Sequence, residues 1–131
     1  MRVLLDTSAY SAFMKGHGGA KSVVQEADEL ALSAVVLGEL KAGFARGGRR
    51  RKNEAELADF LSSPRVRTLA VDDETADRYT AIYLALREKG APIAANDMWI
   101  AASAMQHGLR LATLDTDFLK VSQVLVLHLA D

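Results

Sequence analysis

Four carboxylates stand at positions where an ordinary surface acid is uncommon: Asp6, Glu39, Asp97 and Asp115. Asp6 and Asp115 each follow a short apolar run, at residues 3–5 and 109–114. In open parallel α/β sheets, ligands bind at the carboxyl ends of the strands. We therefore expect these two carboxylates to share one edge of a sheet, although each taken singly also fits a turn residue or a helix N-cap.

Of the four acids, Asp97 shows the clearest sequence evidence for a functional role. A helical projection places it on the same face as the apolar residues Ile100, Ala101 and Ala104. A carboxylate on that face points toward the sheet, and its burial without a cation costs free energy. We expect Asn96 to cap the helix, which leaves Asp97 free for another task.

Glu39 lies at the edge of the apolar stripe of its own helix, beside Val36 and Leu40. From that position its side chain can lean over the end of the sheet. The alternative is a solvated glutamate paired with Lys41 or Arg46, and Glu39 by itself does not decide between the two.

Carboxylates that share a pocket raise one another's pKa values unless a cation neutralises them. Oxygen ligands suit hard divalent ions, so Mg²⁺ is the expected ion and Mn²⁺ is an alternative. The three histidines, His17, His107 and His128, are far from these acids in the sequence. Zinc is therefore not expected, and we predict structural or surface roles for all three.

The elements that position these residues alternate between strand and helix patterns, which is typical of an α/β domain with a mainly parallel sheet. Strands are predicted at residues 2–5, 30–33, 66–71, 109–113 and 124–129. Helices are predicted at residues 9–15, 20–27, 34–45, 54–61, 73–89 and 97–107. We expect about five strands flanked by helices on both faces, as one domain over residues 1–131.

The composition agrees with one globular unit. The chain has 131 residues, half of them hydrophobic, and no cysteine. That composition excludes disulfides and thiolate metal sites and is compatible with a reducing cytoplasm, which is the expected location. No apolar stretch reaches the ~20 residues that a membrane span needs, and Asp6 interrupts the N-terminal apolar run too early for a signal peptide.

The net charge of −1 gives no overall attraction to nucleic acid, so RNA binding must depend on a local patch or on metal ions. Basic residues do cluster at Arg46 and residues 49–52, around Gly47 and Gly48. The glycines predict a loop or a helix end. The cluster contacts phosphate or a partner, or else it is only a solvated linker.

Four segments, in this order, resemble the PIN domain, and within it the VapC-type toxins of toxin–antitoxin pairs. They are LLDTSAYS around Asp6, LSAVVLGELKAG around Glu39, NDMWIAASA around Asp97 and LATLDTDF around Asp115. The resemblance covers nearly the whole chain. It implies a small parallel sheet flanked by helices, a Mg²⁺-dependent endoribonuclease activity, and a toxin homodimer neutralised by a cognate antitoxin.

The resemblance also implies the roles of the acids. Asp6, Asp97 and Asp115 would bind one or two metal ions, and Glu39 would complete the shell or position a water for hydrolysis of an RNA phosphodiester bond. Ser8 departs from the family pattern, because many relatives have asparagine there.

The sequence leaves the roles of two further residues near the fourth segment, Asp117 and Thr113, undecided. Asp117 is an extra acid beside Asp115; we expect it to lack the anchor of the sheet end and to cap backbone N–H groups. Thr113 is a candidate to hydrogen-bond a ligand carboxylate or the attacking water, against the ordinary interpretation of a β-branched strand residue.

Three other functions compete with a nuclease. A dehalogenase-like phosphatase needs a second aspartate two residues after the first, but that position is Ser8. A receiver domain needs paired acids near the first strand, but Asp6 has no acidic neighbour. It also needs a phosphoacceptor after the third strand, and Asp72 and Asp73 do follow the third predicted strand. A PIN-like module that only binds a partner is the third alternative, and the four retained acids argue against it.

Overall fold

The computed structural model describes residues 1–129, and the last two residues of the predicted domain lie outside that range. Its centre is one parallel sheet of five strands in the order β3-β2-β1-β4-β5. The strands are β1 (Arg2–Leu5), β2 (Glu29–Ser33), β3 (Val66–Leu69), β4 (Arg110–Thr113) and β5 (Val126–His128). The predicted α/β class and strand number are confirmed.

Within residues 1–129, six α-helices connect the strands, and a short 3₁₀ helix, Thr116–Lys120, follows β4. The helices are α1 (Thr7–Met14), α2 (Gly18–Glu26), α3 (Ala34–Arg46), α4 (Arg50–Leu61), α5 (Asp73–Glu88) and α6 (Ala95–His107). The central strands β1 and β4 are buried almost throughout. Such apolar strands need cover on both faces of the sheet, as expected for parallel strands.

The strand order reverses between β1 and β4, because the chain runs from β1 outward to β2 and β3 and then returns to the other side of β1. Clefts at such a reversal are where open α/β sheets bind ligands. The residues that follow β1 and β4 therefore share the expected binding edge.

Several predicted boundaries were wrong by a few residues. Helix α1 begins at Thr7 rather than at residue 9, because Asp6 caps it. Helix α4 begins at Arg50 rather than at residue 54, where Arg50 pairs with Glu54 one turn later. Strand β3 ends at Leu69 rather than at residue 71, because it is an edge strand that pairs with β2 only as far as Leu69.

The other predicted boundaries differ from the observed ones by one or two residues at most.

Within residues 1–129, no helix combines the length and the apolar character needed to cross a membrane.

Candidate metal centre at the carboxyl edge of the sheet

Asp6 is the most completely buried of the four predicted acids, with 4% of its surface exposed. It follows β1 directly and caps α1, where its Oδ1 accepts hydrogen bonds from the backbone N–H of Ala9 (2.8 Å) and the hydroxyl of Ser8 (2.7 Å). Its Oδ2 accepts a 2.6 Å hydrogen bond from the hydroxyl of Thr113. Burial raises the pKa of Asp6, against the lowering effect of these hydrogen bonds. The three hydrogen bonds fix the orientation of the Asp6 carboxylate.

Thr113 links Asp6 to the second strand end. The register pairs Leu5 of β1 with Ala112 of β4, so the next residues, Asp6 and Thr113, lie side by side. The Thr113 hydroxyl also accepts a 2.9 Å hydrogen bond from the backbone N–H of Asp115. The structure therefore places Thr113 in the polar role that the sequence offered as a candidate, against the alternative of an ordinary strand residue.

Ser8 supports the same connection. Its hydroxyl donates to Asp6 and accepts a 3.0 Å hydrogen bond from the backbone N–H of Leu114. Ser8 therefore provides polar support to Asp6 and to the loop that carries Asp115.

Three carboxylates come together beyond this edge. Asp97, Asp115 and Asp117 each offer an oxygen atom within 4.8 Å of the oxygens of the other two, and all three side chains are half-buried. A set made only of carboxylate oxygens fits a hard divalent ion such as Mg²⁺ or Mn²⁺. Asp6 lies outside this group of three, although it was expected among the metal ligands.

Asp117 is better anchored than we expected. It lies in the first turn of the 3₁₀ helix, and the following residue, Phe118, is fully buried and fixes that turn against the core. The capping role expected for Asp117 belongs to Asp115, whose Oδ1 accepts the N–H of Asp117 at 2.9 Å. Asp117 instead lies 3.2 Å from the ammonium group of Lys120. The sequence could not show this, because the turn depends on where Phe118 packs.

The other acids of the site contribute to a raised pKa of Asp97. Its pKa is raised to about 6, mainly by burial and then, in decreasing order, by the negative charges of Asp115, Glu39, Asp6 and Asp117. All five carboxylates are therefore close enough to interact electrostatically, and a cation among them would relieve the repulsion.

Glu39 leans toward the same edge, which is one of the two alternatives that the sequence left open. Its Oε1 accepts a 2.6 Å hydrogen bond from the hydroxyl of Thr7, and its Oε2 accepts one of 3.3 Å from the side-chain amide of Asn96. These bonds join α3 to the first turns of α1 and α6. The expected N-cap role of Asn96 was wrong, because α6 begins at Ala95 and its N-cap position is Ala94.

Asp72, one of the two candidate phosphoacceptors of the receiver hypothesis, has a structural role. Asp72 caps α5 through a capping box with Thr75, and Gln106 of α6 donates a 3.0 Å hydrogen bond to its carboxylate. It follows β3, which lies at the edge of the sheet with β2 between it and β1. The strand order also differs from the receiver order 2-1-3-4-5.

The histidines occupy positions consistent with structural roles. The Nδ1 of His17 accepts the N–H of Ala20 and caps α2, and His107 is the last residue of α6. His128 lies 3.2 Å from the carbonyl oxygen of Leu114 through its Nε2.

Comparison with known proteins assigns this arrangement to a family. The PIN domain model matches residues 3–124. Ribonuclease VapC5 of Mycobacterium tuberculosis is 32% identical over 115 residues, which are 88% of this chain and 84% of the relative. Toxin FitB of Neisseria gonorrhoeae is 32% identical over 96% of each chain.

Solved structures agree with this assignment. The crystal structure of VapBC-5 from Mycobacterium tuberculosis, a member of the VapBC family of toxin–antitoxin systems, superposes with a TM-score of 0.78 at 27% identity, over 98% of this chain and 99% of that one. With a family model that spans almost the whole chain, and with the acids gathered at the carboxyl edge of the expected sheet, this chain belongs to the PIN-domain family.

Proposed function

We propose that this chain is a metal-dependent endoribonuclease that acts as the toxin of a type II toxin–antitoxin system. The observation that carries the proposal is the group of carboxylates of Asp97, Asp115 and Asp117 at the carboxyl edge of the sheet, beside the buried Asp6. Acids gathered at one topological reversal repel one another, and a site for a divalent ion and a phosphodiester accounts for their being gathered there.

Asp97 and Asp115 would hold Mg²⁺ or Mn²⁺, with Asp6 or Asp117 as the further ligand. The ion supplies a more acidic bound water and offsets negative charge on the phosphate. The remaining residues orient these ligands: Thr113 and Ser8 fix Asp6, and Asn96 and Thr7 hold Glu39, which is placed to position a water or complete the set of ligands.

The partners follow from relatives whose names describe toxins and toxin–antitoxin complexes. We propose that a cognate antitoxin neutralises this chain and that the chain forms a homodimer in the cytoplasm, where its RNA substrate is found. Exposed Tyr83 and Leu84 on α5, at 40% and 57% of their surface, support a partner on that side. Light scattering and co-purification with the product of the adjacent gene test this; a monomer at high concentration contradicts the dimer.

The activity is tested by incubating the purified chain with total bacterial RNA in Mg²⁺, in Mn²⁺ and in excess chelator. We expect cleavage with either ion and none in chelator. Asp97→Asn keeps the shape of the side chain and removes its charge, so it should abolish cleavage while thermal melting shows an intact fold. Cleavage that persists in excess chelator contradicts the proposal.

A module that only binds a partner is the second candidate, and the same experiment separates it. Such a module would bind its antitoxin and leave RNA intact at every metal concentration. Sequencing the new RNA ends after brief expression would then identify the target of an active enzyme.

A further inference from the structure

A cavity of about 320 Å³ lies between α1 and the first turns of α4, apart from the carboxylate cluster. Three cations line it: Lys15 after α1, and Arg49 and Lys52 at the start of α4. Glu56 is an acid in the same lining, so the charges of the wall sum to about +2. The basic cluster seen in the sequence therefore faces a defined cavity on one side.

The N-terminus of α4 is electrostatically unfavourable as it stands. Its first turn contains Arg50, Arg51 and Lys52 and no acid, and the N-cap residue, Arg49, makes no side-chain capping hydrogen bond within the described chain. A helix N-terminus carries partial positive charge and free N–H groups, so cations there repel it and an anion stabilises it. The arrangement costs stability unless an anion binds.

A second, independent feature lies in the wall of the same cavity. Tyr10 of α1 lines the cavity, is 2% exposed, and its hydroxyl has no hydrogen-bond partner within residues 1–129. Buried polar groups without partners are rare and usually indicate a missing ligand or water. Burial and the negative charge of Glu56 raise the pKa of Tyr10 to about 12, so the hydroxyl keeps its proton and is available as a donor.

Helices α1 and α3 each contribute residues to both the carboxylate site and the cavity. Thr7, in the first turn of α1, binds Glu39 of α3, while Phe44, farther along α3, lines the cavity. Lys15 lies about 12 Å farther along the α1 axis than Thr7, at about 1.5 Å per residue. The two places are therefore near enough for one RNA strand to reach both.

We propose that this cavity binds a backbone phosphate of the RNA substrate, distant from the phosphate that is cleaved. Arg49 and Lys52 supply the charge, the α4 N-terminus supplies N–H donors, and the Tyr10 hydroxyl donates to the ligand. The inference rests on the proposed function, because it assigns the cavity to the same RNA. The short distance from the carboxylate site along α1 and α3 favours RNA over an acidic peptide as the occupant.

The test measures binding of a fluorescent random-sequence single-stranded oligoribonucleotide by anisotropy, in excess chelator, between about 50 and 200 mM salt. The double variant Arg49→Gln/Lys52→Gln should bind about tenfold more weakly at the middle of that range. The plot of log affinity against log salt should be less steep by about 0.7 for each phosphate that the variant no longer neutralises.

The matched control is Arg46→Gln/Arg51→Gln, which removes two exposed charges of the same basic cluster from outside the cavity lining. It should retain affinity and slope much closer to the unaltered chain, and melting curves should show that both double variants fold. Equal losses of affinity in the two double variants would overturn the site in favour of diffuse attraction. No measurable RNA binding by the unaltered chain would overturn it as well.

Two further outcomes separate this inference from the proposed function and from a protein partner. If total RNA is cleaved in Mg²⁺ but Arg49→Gln/Lys52→Gln binds the oligoribonucleotide normally, the cavity assignment fails and the nuclease stands. If RNA is never cleaved but the cavity variant loses RNA binding, the nuclease fails and the cavity assignment stands. If the cavity variant no longer binds a glutamate-rich peptide that the unaltered chain binds, but still binds RNA normally, the cavity is reassigned to an acidic protein segment.

Discussion

The hydroxyl of Thr113 donates to Asp6 Oδ2 at 2.6 Å and so joins the ends of the two central strands through one hydrogen bond. Both residues are buried, and the same hydroxyl receives the N–H of Asp115. The position of the Asp115 loop relative to Asp6 therefore depends on Thr113, together with Ser8, whose hydroxyl bonds both Asp6 and the N–H of Leu114.

Replacing Thr113 by valine keeps its shape and removes the hydroxyl. We expect Thr113→Val to lower the free energy of unfolding by about 1–3 kcal/mol, because Asp6 loses a donor while it stays buried. The Mg²⁺ concentration for half-maximal cleavage should also rise. Thr113→Ser keeps the hydroxyl and is the control; urea unfolding and a Mg²⁺ titration measure both effects. Equal behaviour of the two variants contradicts the prediction.

The metal-free chain should be less stable at neutral than at mildly acidic pH. The pKa of Asp97 is about 6 in the folded chain against an ordinary 3.8, so between these values the folded state holds a proton that the unfolded state has released. The free energy of unfolding therefore falls as pH rises through this window. The raised pKa of Asp6 acts in the same direction.

Melting temperatures measured in chelator from about pH 4 to pH 7 test this linkage. Asp97→Asn should flatten the profile, whereas Asp59→Asn, an exposed change on α4, should not. Mg²⁺ should raise the melting temperature most at neutral pH, because it replaces the proton among the acids. A melting temperature that climbs steadily from pH 4 to pH 7 in chelator is the contrary result.

Asp115 and Asp117 can be distinguished by separate changes to asparagine. We expect Asp115→Asn to abolish cleavage, since this residue is held by Thr113 beside Asp6. Asp117→Asn should raise the Mg²⁺ requirement and retain cleavage at high Mg²⁺, because it removes one of three clustered charges. Mg²⁺ titrations of activity, together with melting curves, decide the roles, and the reverse pattern would assign the essential carboxylate to Asp117.

Tyr10 offers a stability test that does not depend on RNA. Tyr10→Phe removes a buried hydroxyl that has no partner within the described residues, while the edge-to-face contact with Phe60 can remain. We expect the free energy of unfolding of the free chain to rise by about 1 kcal/mol, measured by urea denaturation. Phe60→Leu, which removes the ring contact instead, should destabilise the chain. A loss of stability in Tyr10→Phe would mean that the hydroxyl is satisfied in solution.

The sequence alone determined the fold class and the edge where the acids gather. The α/β alternation, the apolar run before Asp6 and the helical face of Asp97 are local patterns, and local patterns suffice to predict strand and helix order. Parallel strands that end in acids then imply a shared edge, because the carboxyl ends of such strands lie on the same side. The predicted ends of helices and strands were less accurate, because capping residues and ion pairs in the terminal turns, such as Arg50 with Glu54, shift them.

Tertiary structure alone decided which acids come within reach of one ion. Asp117 approaches Asp97 and Asp115 because Phe118 packs into the core and fixes the 3₁₀ turn, and that packing involves residues distant in the sequence. Asp6 lies outside this group, and the register of β1 against β4 brings the Thr113 hydroxyl to its carboxylate. Distances of a few ångströms between side chains depend on how separate elements pack, and no local pattern of residue types encodes them.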